Sequence, residues 1–438
     1  MKIGIIGTGA MGKRHALEFA KSGFDVLCHD SREDKRQLGS ELKALHEKIR
    51  LAESGRQVSA ESDIIFYLVP VQNIWEAAHD FGKHTRAQAT VCSGLSVMTP
   101  GVEAFNLHIP DNVNIMSLHL LCSPSVRDLG GQRSILLDTK STEKSRNDAI
   151  SAFTALKVKI FEVQSPEQHD QVTANTQATV QTSFLAMALA CTTAGFFPWE
   201  NRHYIGGLDN IKVLMMQRIL GGKAHVYGSL AMDNQFARKQ ILEYCMQTMS
   251  IMNMVRKGDI RRIRETLSKA GDAAFIPRKM RILDNSVMQE FSLSCIPKEE
   301  RLGNSNISLF SHPLAWLNTG VNPFFSPELA PPPARFMCDM VQALFQDKEL
   351  FEESINAMAD RKLIAHDEIF LDSLKTLTGI IARHDLTAYT NVFDSTKTFF
   401  NGRLAEAVRR SDELVERFST LERDLTTSID SNTCSTVF

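Results

Sequence analysis

The residues Lys2-Ile3-Gly4-Ile5-Ile6-Gly7-Thr8-Gly9-Ala10-Met11-Gly12 stand near the start of the chain and decide the fold of its first part. The apolar run Ile3 to Ile6 predicts a buried strand, and the helix-like stretch Lys13 to Lys21 follows the glycines. In this order, the glycines allow a tight turn and a close approach of the backbone to a pyrophosphate. Free N–H groups at the start of the helix stabilise its charge. The stretch therefore predicts a dinucleotide-binding turn.

The type of dinucleotide depends on the residues after a second apolar run, Phe24 to Cys28. Asp30 lies 21 residues beyond Gly9, where an acid that binds an NAD ribose is expected. Ser31 and Arg32 can instead hold the 2′-phosphate of NADP, which a carboxylate repels unless Asp30 turns away. The other interpretation of these residues is a solvated helix start. We expect NADP, with NAD as the alternative.

Further apolar runs alternate with helix-like segments up to about residue 165. They are Ile64 to Val69, Thr90 to Cys92, Val113 to Met116 and Ser134 to Leu137. This alternation is typical of an α/β fold, a Rossmann-type doubly wound parallel sheet. The predicted cofactor-binding residues are Gly7, Thr8, Gly9, Ala10, Met11, Gly12, Asp30, Ser31 and Arg32, with Val69 and Pro70 at the end of a strand.

The pattern changes at Ser165-Pro166-Glu167-Gln168, which predicts a capped helix start. A long helix is expected from Pro166 to about Ala194, and most of the chain beyond it has a helical pattern. We therefore predict a dinucleotide-binding domain over residues 1–165 and an all-helical substrate and dimerisation domain over residues 166–438. By analogy with other two-part dehydrogenases, the protein is expected to be a homodimer.

Composition argues against several classes of protein. Lys and Arg total 49 and Asp and Glu total 51, so no strong field attracts nucleic acid or an anionic membrane. No apolar run approaches the ~20 residues of a membrane helix, and no signal peptide is expected ahead of the first strand. Eight scattered cysteines without a C-x-x-C pair predict no metal site and a reducing, cytoplasmic location.

Two polar residues follow predicted strands, where ligands bind in open α/β sheets. His119 comes after Ile115 to Leu118 and can accept a proton from an alcohol that loses hydride, since the pKa of histidine lies near neutrality. Ser96 comes after Thr90 to Cys92 and can hydrogen-bond the same hydroxyl. The alternatives are a structural histidine and a serine that caps a helix.

The helical part offers three candidates for binding a substrate. Arg218 stands among apolar residues and needs a carboxylate partner, either from a substrate or from the protein itself. Lys212, six residues earlier, lies on another helical face. Gln177 belongs to a predicted helix face that either lines a cleft or packs internally. That face comprises His169, Thr173, Gln177, Val180 and Phe184.

Several segments resemble prephenate dehydrogenases, above all the fungal NADP-dependent branch. Besides the glycine turn, they include His169-Asp170-x-x-Thr173-Ala174-x-Thr176-Gln177-Ala178, Pro198-Trp199, Gly206-Gly207-Leu208-x-Asn210-x-Lys212-Val213, Arg218-Ile219, His225-Val226-Tyr227 and Gly303-Asn304-Ser305-Asn306. The resemblance implies oxidation of prephenate to 4-hydroxyphenylpyruvate with loss of carbon dioxide, in tyrosine synthesis.

The resemblance also implies roles for single residues. His119 would accept the proton of the ring hydroxyl, Ser96 would hydrogen-bond that hydroxyl and the histidine, and Arg218 would bind a prephenate carboxylate. Gln177 stands where bacterial members often have a substrate-facing histidine. Lys212 is added as a substrate-binding candidate.

The chain departs from the family pattern near the predicted pocket. Leu120 follows the catalytic histidine where bacterial members usually have proline, Cys122-Ser123 replaces a His-Gly pair of fungal members, and Met98 replaces a common lysine. Arogenate dehydrogenase and a catalytically inactive dinucleotide sensor therefore stay as alternatives. A β-hydroxyacid dehydrogenase is disfavoured, because its Lys-x-x-x-Asn pair is missing: Gln171 precedes Asn175.

Overall fold

The computed structural model describes residues 1–124, 126, 128–204, 206–275, 300, 302–326 and 329–433. The chain divides into two compact units, Met1–Thr173 and Ala174–Phe438. The division falls within the helical stretch predicted to begin at Pro166. Each unit has its own secondary structure and is described separately.

The first unit contains an eight-stranded sheet with the order β3-β2-β1-β4-β5-β6-β7-β8. The strands are β1 Lys2–Ile6, β2 Asp25–His29, β3 Ile49–Leu51, β4 Ile64–Tyr67, β5 Thr90–Ser93, β6 Asn114–Leu120, β7 Arg133–Lys140 and β8 Lys159–Glu162. The helices are α1 Ala10–Lys21, α2 Lys35–Leu45, α3 Gly55–Glu61, α4 Ile74–Phe81, α5 Met98–His108, α6 Glu143–Phe153 and α7 Pro166–Thr173. The Rossmann-type α/β fold predicted for this part is confirmed. The short strands β3 and β8 were not anticipated.

The pairing departs from the predicted all-parallel sheet at one place. β1 to β6 pair in parallel, but β7 runs antiparallel to β6, with His119 opposite Ile135. Only residues 121–132 connect these two strands, and the described part of that connection holds no crossover helix. Since a parallel neighbour requires such a crossover, a short connection produces an antiparallel pair.

Apolar side chains on both faces of the sheet explain the continuous apolar runs in the sequence. One cluster packs Ile3, Ile5 and Phe66 against Phe19 of α1, and the opposite cluster packs Ile65 and Val91 against other helices. Polar caps start several helices: side chains of Asp34, Ser54 and Thr142 accept backbone N–H groups at the starts of α2, α3 and α6.

The second unit is helical as predicted. After the π-helical segment Ala174–Thr179 come α8 Val180–Ala194, α9 Leu208–Gly221, α10 Ala224–Met232, α11 Ala237–Arg256, α12 Ile260–Ala274, α13 Ile307–Thr319, α14 Pro332–Gln346, α15 Lys348–Ala357, α16 Arg361–Ala382 and α17 Leu386–Thr433. α8 packs against α16, α9 against α17, and α11 against α13. Within the described part of the chain, no helix combines the length and the apolar character that crossing a bilayer requires.

The helical stretch predicted for residues 166–194 starts and stops where expected. Ser165 Oγ accepts the Gln168 N–H at 3.1 Å, and Gly195 ends α8 in the left-handed conformation, with φ of 74°. Its interior differs, because the stretch Ala174–Thr179 is π-helical. The predicted common face from His169 to Phe184 assumed a continuous α-helical period, which this segment interrupts.

Candidate active site

The glycine turn has the geometry of a phosphate cradle. A Cβ on Gly9 would meet no atom within 4 Å, whereas a Cβ on Gly12 would lie 2.0 Å from the carbonyl oxygen of Gly7. Gly7 itself has φ of +96°, a conformation that suits glycine. Gly9 caps α1 without any side-chain cap, so the first N–H groups of the helix are available to an anion. These residues fit the pyrophosphate of a dinucleotide.

The carboxylate of Asp30 is engaged by the protein. Oδ2 accepts the backbone N–H of Thr8 at 2.6 Å and its hydroxyl at 2.8 Å, while Oδ1 accepts the backbone N–H of Arg32 at 3.0 Å. The guanidinium of Arg32 also lies 3.3 Å from Oδ1 and donates to the Thr8 carbonyl at 3.0 Å. Burial raises the pKa of Asp30, but the hydrogen bonds from Arg32 and Thr8 outweigh it and bring the pKa below its usual range.

This arrangement bears on the predicted dinucleotide type. Both oxygens of Asp30 face Thr8 and Arg32, so the carboxylate is turned toward its own loop, as a neighbouring phosphate would require. Arg32 remains half-exposed, and Ser31 beside it is exposed. At the end of β4, Val69 is half-buried and Pro70 exposed. The loop after β2 thus presents a fixed arginine.

His119 lies inside β6, one residue before the end of the strand, rather than just after a strand as predicted. The strand runs two residues further than its apolar pattern indicates, but the histidine still stands near the carboxyl end. The side chain is buried. Burial, and secondarily the neighbouring His169, hold the pKa of His119 well below 6.5, so a neutral imidazole is available as a proton acceptor.

A chain of hydrogen bonds continues from His119. Its Nδ1 lies 2.9 Å from Nε2 of His169, whose Nδ1 lies 2.7 Å from Oδ1 of Asp170. The two oxygens of Asp170 accept the backbone N–H groups of Met98 and Thr99, at 2.7 and 2.9 Å. Sequence reasoning placed His169 only on a helix face and gave Asp170 no role; their one signal was the family-like motif that contains both.

Ser96 lies in the connection between β5 and α5, near the carboxyl end of β5. It does not cap α5, since Val97 occupies the N-cap position and contributes no side-chain bond. Instead, the carboxylate of Asp170 accepts the first N–H groups of that helix. The helix-cap alternative for Ser96 is therefore not what the structure shows, and its half-buried side chain remains a candidate for binding a ligand.

Arg218 has a carboxylate partner within the second unit. Its guanidinium forms an ion pair with Asp412 of α17 and donates to the Ser411 hydroxyl at 3.1 Å. The guanidinium side chain is 13% exposed. The internal salt bridge, one of the two alternatives raised by the sequence, is thus present, and the role of Arg218 toward a substrate stays a prediction.

Lys212 has a different environment from Arg218, as its different helical face predicted. Its Nζ lies 2.5 Å from Asp209 and donates to Oδ1 of Asn306 at 2.9 Å. The lysine lines a cavity of about 160 Å³ in the second unit. One side of this cavity is apolar and the other polar; its polar residues include His203, Asp209, Lys212, Asn304, His366 and Asp367.

Asp367, which sequence reasoning missed, is buried in the wall of this cavity. Burial raises the pKa of Asp367 to about 7, although a hydrogen bond from Ser305 and the charge of Lys212 act in the opposite direction. Its Oδ1 accepts the Ser305 hydroxyl at 2.9 Å. No spacing in the sequence connects residue 367 with Lys212, so only the fold identifies it.

Gln177 lies in the π-helical segment and is buried. Its Nε2 has no hydrogen-bond partner among the residues that the structure describes. Buried donors are nearly always paired, and π-helical turns often occur at functional positions. Gln177 therefore has a donor available for a ligand.

Comparisons with known proteins agree with these features. Residues 178–420, more than half of the chain, match the family model of the 6-phosphogluconate dehydrogenase C-terminal domain, in its tyrosine-pathway-like form. Residues 2–94 match the NAD binding domain of 6-phosphogluconate dehydrogenase. Among solved structures, a prephenate dehydrogenase from A. aeolicus is 18% identical with a TM-score of 0.49, covering 61% of this chain and 95% of that one.

Two curated relatives match over nearly their whole length. Prephenate dehydrogenase [NADP(+)] of Saccharomyces cerevisiae is 29% identical, over 98% of this chain and 97% of the relative. Probable prephenate dehydrogenase [NADP(+)] of Schizosaccharomyces pombe is 27% identical, over 95% and 97%. The resemblance to the fungal branch is confirmed, and the chain belongs to this family of 6-phosphogluconate dehydrogenase C-terminal domains.

Proposed function

We propose that this protein is an NADP-dependent prephenate dehydrogenase of tyrosine biosynthesis, which oxidises prephenate to 4-hydroxyphenylpyruvate with release of carbon dioxide. Within the structure, the observation that carries the proposal is the buried, neutral imidazole of His119 in the same unit as the glycine turn. A dehydrogenase acting on an alcohol needs both a dinucleotide site and a base, and this unit supplies both.

The chemistry follows from the side chains. When bound, NADP supplies the acceptor for the hydride that leaves C4 of the prephenate ring. The imidazole of His119 accepts the proton of the hydroxyl on that carbon, and its low pKa keeps it neutral and ready. Ser96 would hydrogen-bond this hydroxyl. A positioned base typically contributes a factor of ~10²–10⁴ in rate.

The preference for NADP is supported by the loop after β2. The guanidinium of Arg32, fixed by Asp30 and Thr8, would pair with the 2′-phosphate, with Ser31 beside it. Gly7 to Gly12 would hold the pyrophosphate, and Val69 and Pro70 would border the cofactor at the end of β4. Both curated relatives are named as NADP(+) enzymes.

Prephenate carries two carboxylates, and the second unit offers donors for them. Lys212 lines the polar side of a cavity, and Gln177 has a buried N–H without a partner among the described residues. We propose that these two side chains bind substrate carboxylates. Arg218 stays in the proposal as a third substrate-binding residue, although Asp412 already neutralises its charge.

We also propose that the protein is a cytoplasmic homodimer. On α11, the side chains of Leu242, Met246 and Met249 recur at helical spacing and are 50%, 50% and 37% exposed. Such an apolar stripe is typical of an interface. Six cysteines in the described part of the chain are free thiols, which suits a reducing compartment, while Cys295 and Cys434 lie outside the described residues. Light scattering of wild type and of Met246→Glu tests the dimer.

The decisive experiment follows the reduced-nicotinamide absorbance of the purified full chain, with prephenate and with arogenate, and with NADP and NAD in turn. We expect turnover of prephenate with NADP. His119→Asn should lower kcat by about 10²-fold or more while the Kd of NADP is unchanged. Turnover of arogenate alone would reassign the substrate, and cofactor binding without any turnover would indicate a sensor.

A further inference from the structure

The residues behind the proposed base form a buried chain that ends at a helix start. Asp170 is completely buried, and its Oδ1 and Oδ2 accept the N–H groups of Met98 and Thr99, the first two residues of α5. These N–H groups have no partner within the helix itself. The chain therefore starts from a carboxylate whose position is fixed by two backbone donors.

The next group in the chain is His169, also completely buried. Its Nδ1 lies 2.7 Å from Oδ1 of Asp170. Since a carboxylate only accepts hydrogen bonds, Nδ1 of His169 carries the hydrogen. In a neutral imidazole the other nitrogen, Nε2, then has a lone pair and can only accept.

Two groups lie near that lone pair. Nδ1 of His119 is 2.9 Å from Nε2 of His169, and the hydroxyl of Thr173 is 3.3 Å away. The hydroxyl of Thr173 has one hydrogen, and it donates this to the carbonyl oxygen of His169 at 2.8 Å. The donor to Nε2 of His169 is therefore Nδ1–H of His119.

We propose that His169 and Asp170 are positioning residues, which hold the hydrogen of His119 on Nδ1 and so leave the lone pair on Nε2 as the base. The role of that lone pair in proton abstraction rests on the proposed function, but the tautomer does not. The low pKa of His119, caused by burial and by His169, agrees with a single ring hydrogen at neutral pH. The arrangement fixes both the ring orientation and the reacting nitrogen.

A direct test needs no substrate. The ¹⁵N shifts of the histidine rings distinguish protonated from unprotonated nitrogens, and the spectrum of His119→Asn identifies the His119 signals by difference. In the full chain bound to NADP we expect a protonated Nδ1 and an unprotonated Nε2 for His119. The opposite tautomer would overturn the proposal, whatever the enzyme turns over.

A kinetic test separates positioning from packing. His169→Phe keeps a ring but removes the acceptor, whereas His169→Gln keeps an acceptor oxygen that can receive Nδ1–H of His119. We expect kcat for prephenate to fall by about 10²-fold in His169→Phe and to stay within about tenfold of wild type in His169→Gln. KM, the Kd of NADP and Tm should change little in the glutamine variant.

Thr173→Val is the matched control, because it removes the neighbouring hydroxyl without interrupting the chain. Its kcat should stay within about threefold of wild type. Equal losses of kcat in the phenylalanine and glutamine variants, or no loss in either, would contradict a positioning role. If His169→Phe does not fold, the comparison of His169→Gln with wild type and the ¹⁵N measurement still decide the matter.

Discussion

Adding one methyl group to Gly9 or to Gly12 separates cofactor binding from folding. At Gly9 the new Cβ meets no atom within 4 Å, so Gly9→Ala costs at most about 1 kcal/mol in helix capping. The methyl would, however, occupy the space through which a phosphate approaches the N–H groups of α1. Loss of one charge-assisted hydrogen bond of about 1.5–3 kcal/mol raises the Kd of NADP by about 10- to 100-fold.

At Gly12 the same methyl would lie 2.0 Å from the carbonyl oxygen of Gly7, which is backbone and cannot swing away. Overpacking of this kind costs about 1–3 kcal/mol or more. In a unit of this size, each kcal/mol lowers Tm by about 2–4 °C. Gly12→Ala should therefore lower Tm by several degrees, measured by calorimetry without cofactor.

Gly39→Ala is the matched control, because its Cβ would make an ordinary contact at 3.7 Å with Leu51 within α2. It should leave the Kd of NADP unchanged and raise stability slightly, since alanine favours the interior of a helix. An unchanged Kd in Gly9→Ala would refute the phosphate cradle. A Gly12→Ala variant as stable as Gly39→Ala would refute the close contact between helix and turn.

Other side chains give further predictions. Arg32→Ala should raise KM for NADP by about tenfold or more and change KM for NAD by less than about threefold; equal effects would exclude a contact with the 2′-phosphate. Lys212→Ala should raise KM for prephenate by about tenfold or more, whereas Arg218→Ala should mainly lower stability, by about 1–2 kcal/mol, because it breaks the partly exposed ion pair with Asp412. A large KM effect in Arg218→Ala alone would reverse these assignments. Because the pKa of His119 is depressed, the base stays neutral below pH 6.5 and kcat/KM should lose activity only under more acidic conditions; a midpoint above pH 6.5 would contradict this.

Local sequence rules predicted the parts of the fold that depend on neighbouring residues. The apolar runs predicted β1, β2, β4 and β5, because strands buried on both faces need continuous apolar residues. Ser165 and Gly195 predicted both ends of a helical stretch, because caps act through the adjacent backbone. The direction of β7 and the π-helical segment at Ala174–Thr179 depend on chain connection and packing, for which a period of apolar residues carries no signal.

The sequence by itself determined the dinucleotide turn, since Gly7, Gly9 and Gly12 act within a few residues of one another, and it determined the family through motifs along the chain. Only the tertiary structure decided which partner each charged or polar side chain has. Asp412 neutralises Arg218 from 194 residues away, and His169 meets His119 across 50 residues. Hydrogen bonds and ion pairs require contact within a few ångströms, and contact between distant residues is set by how the helices and strands pack.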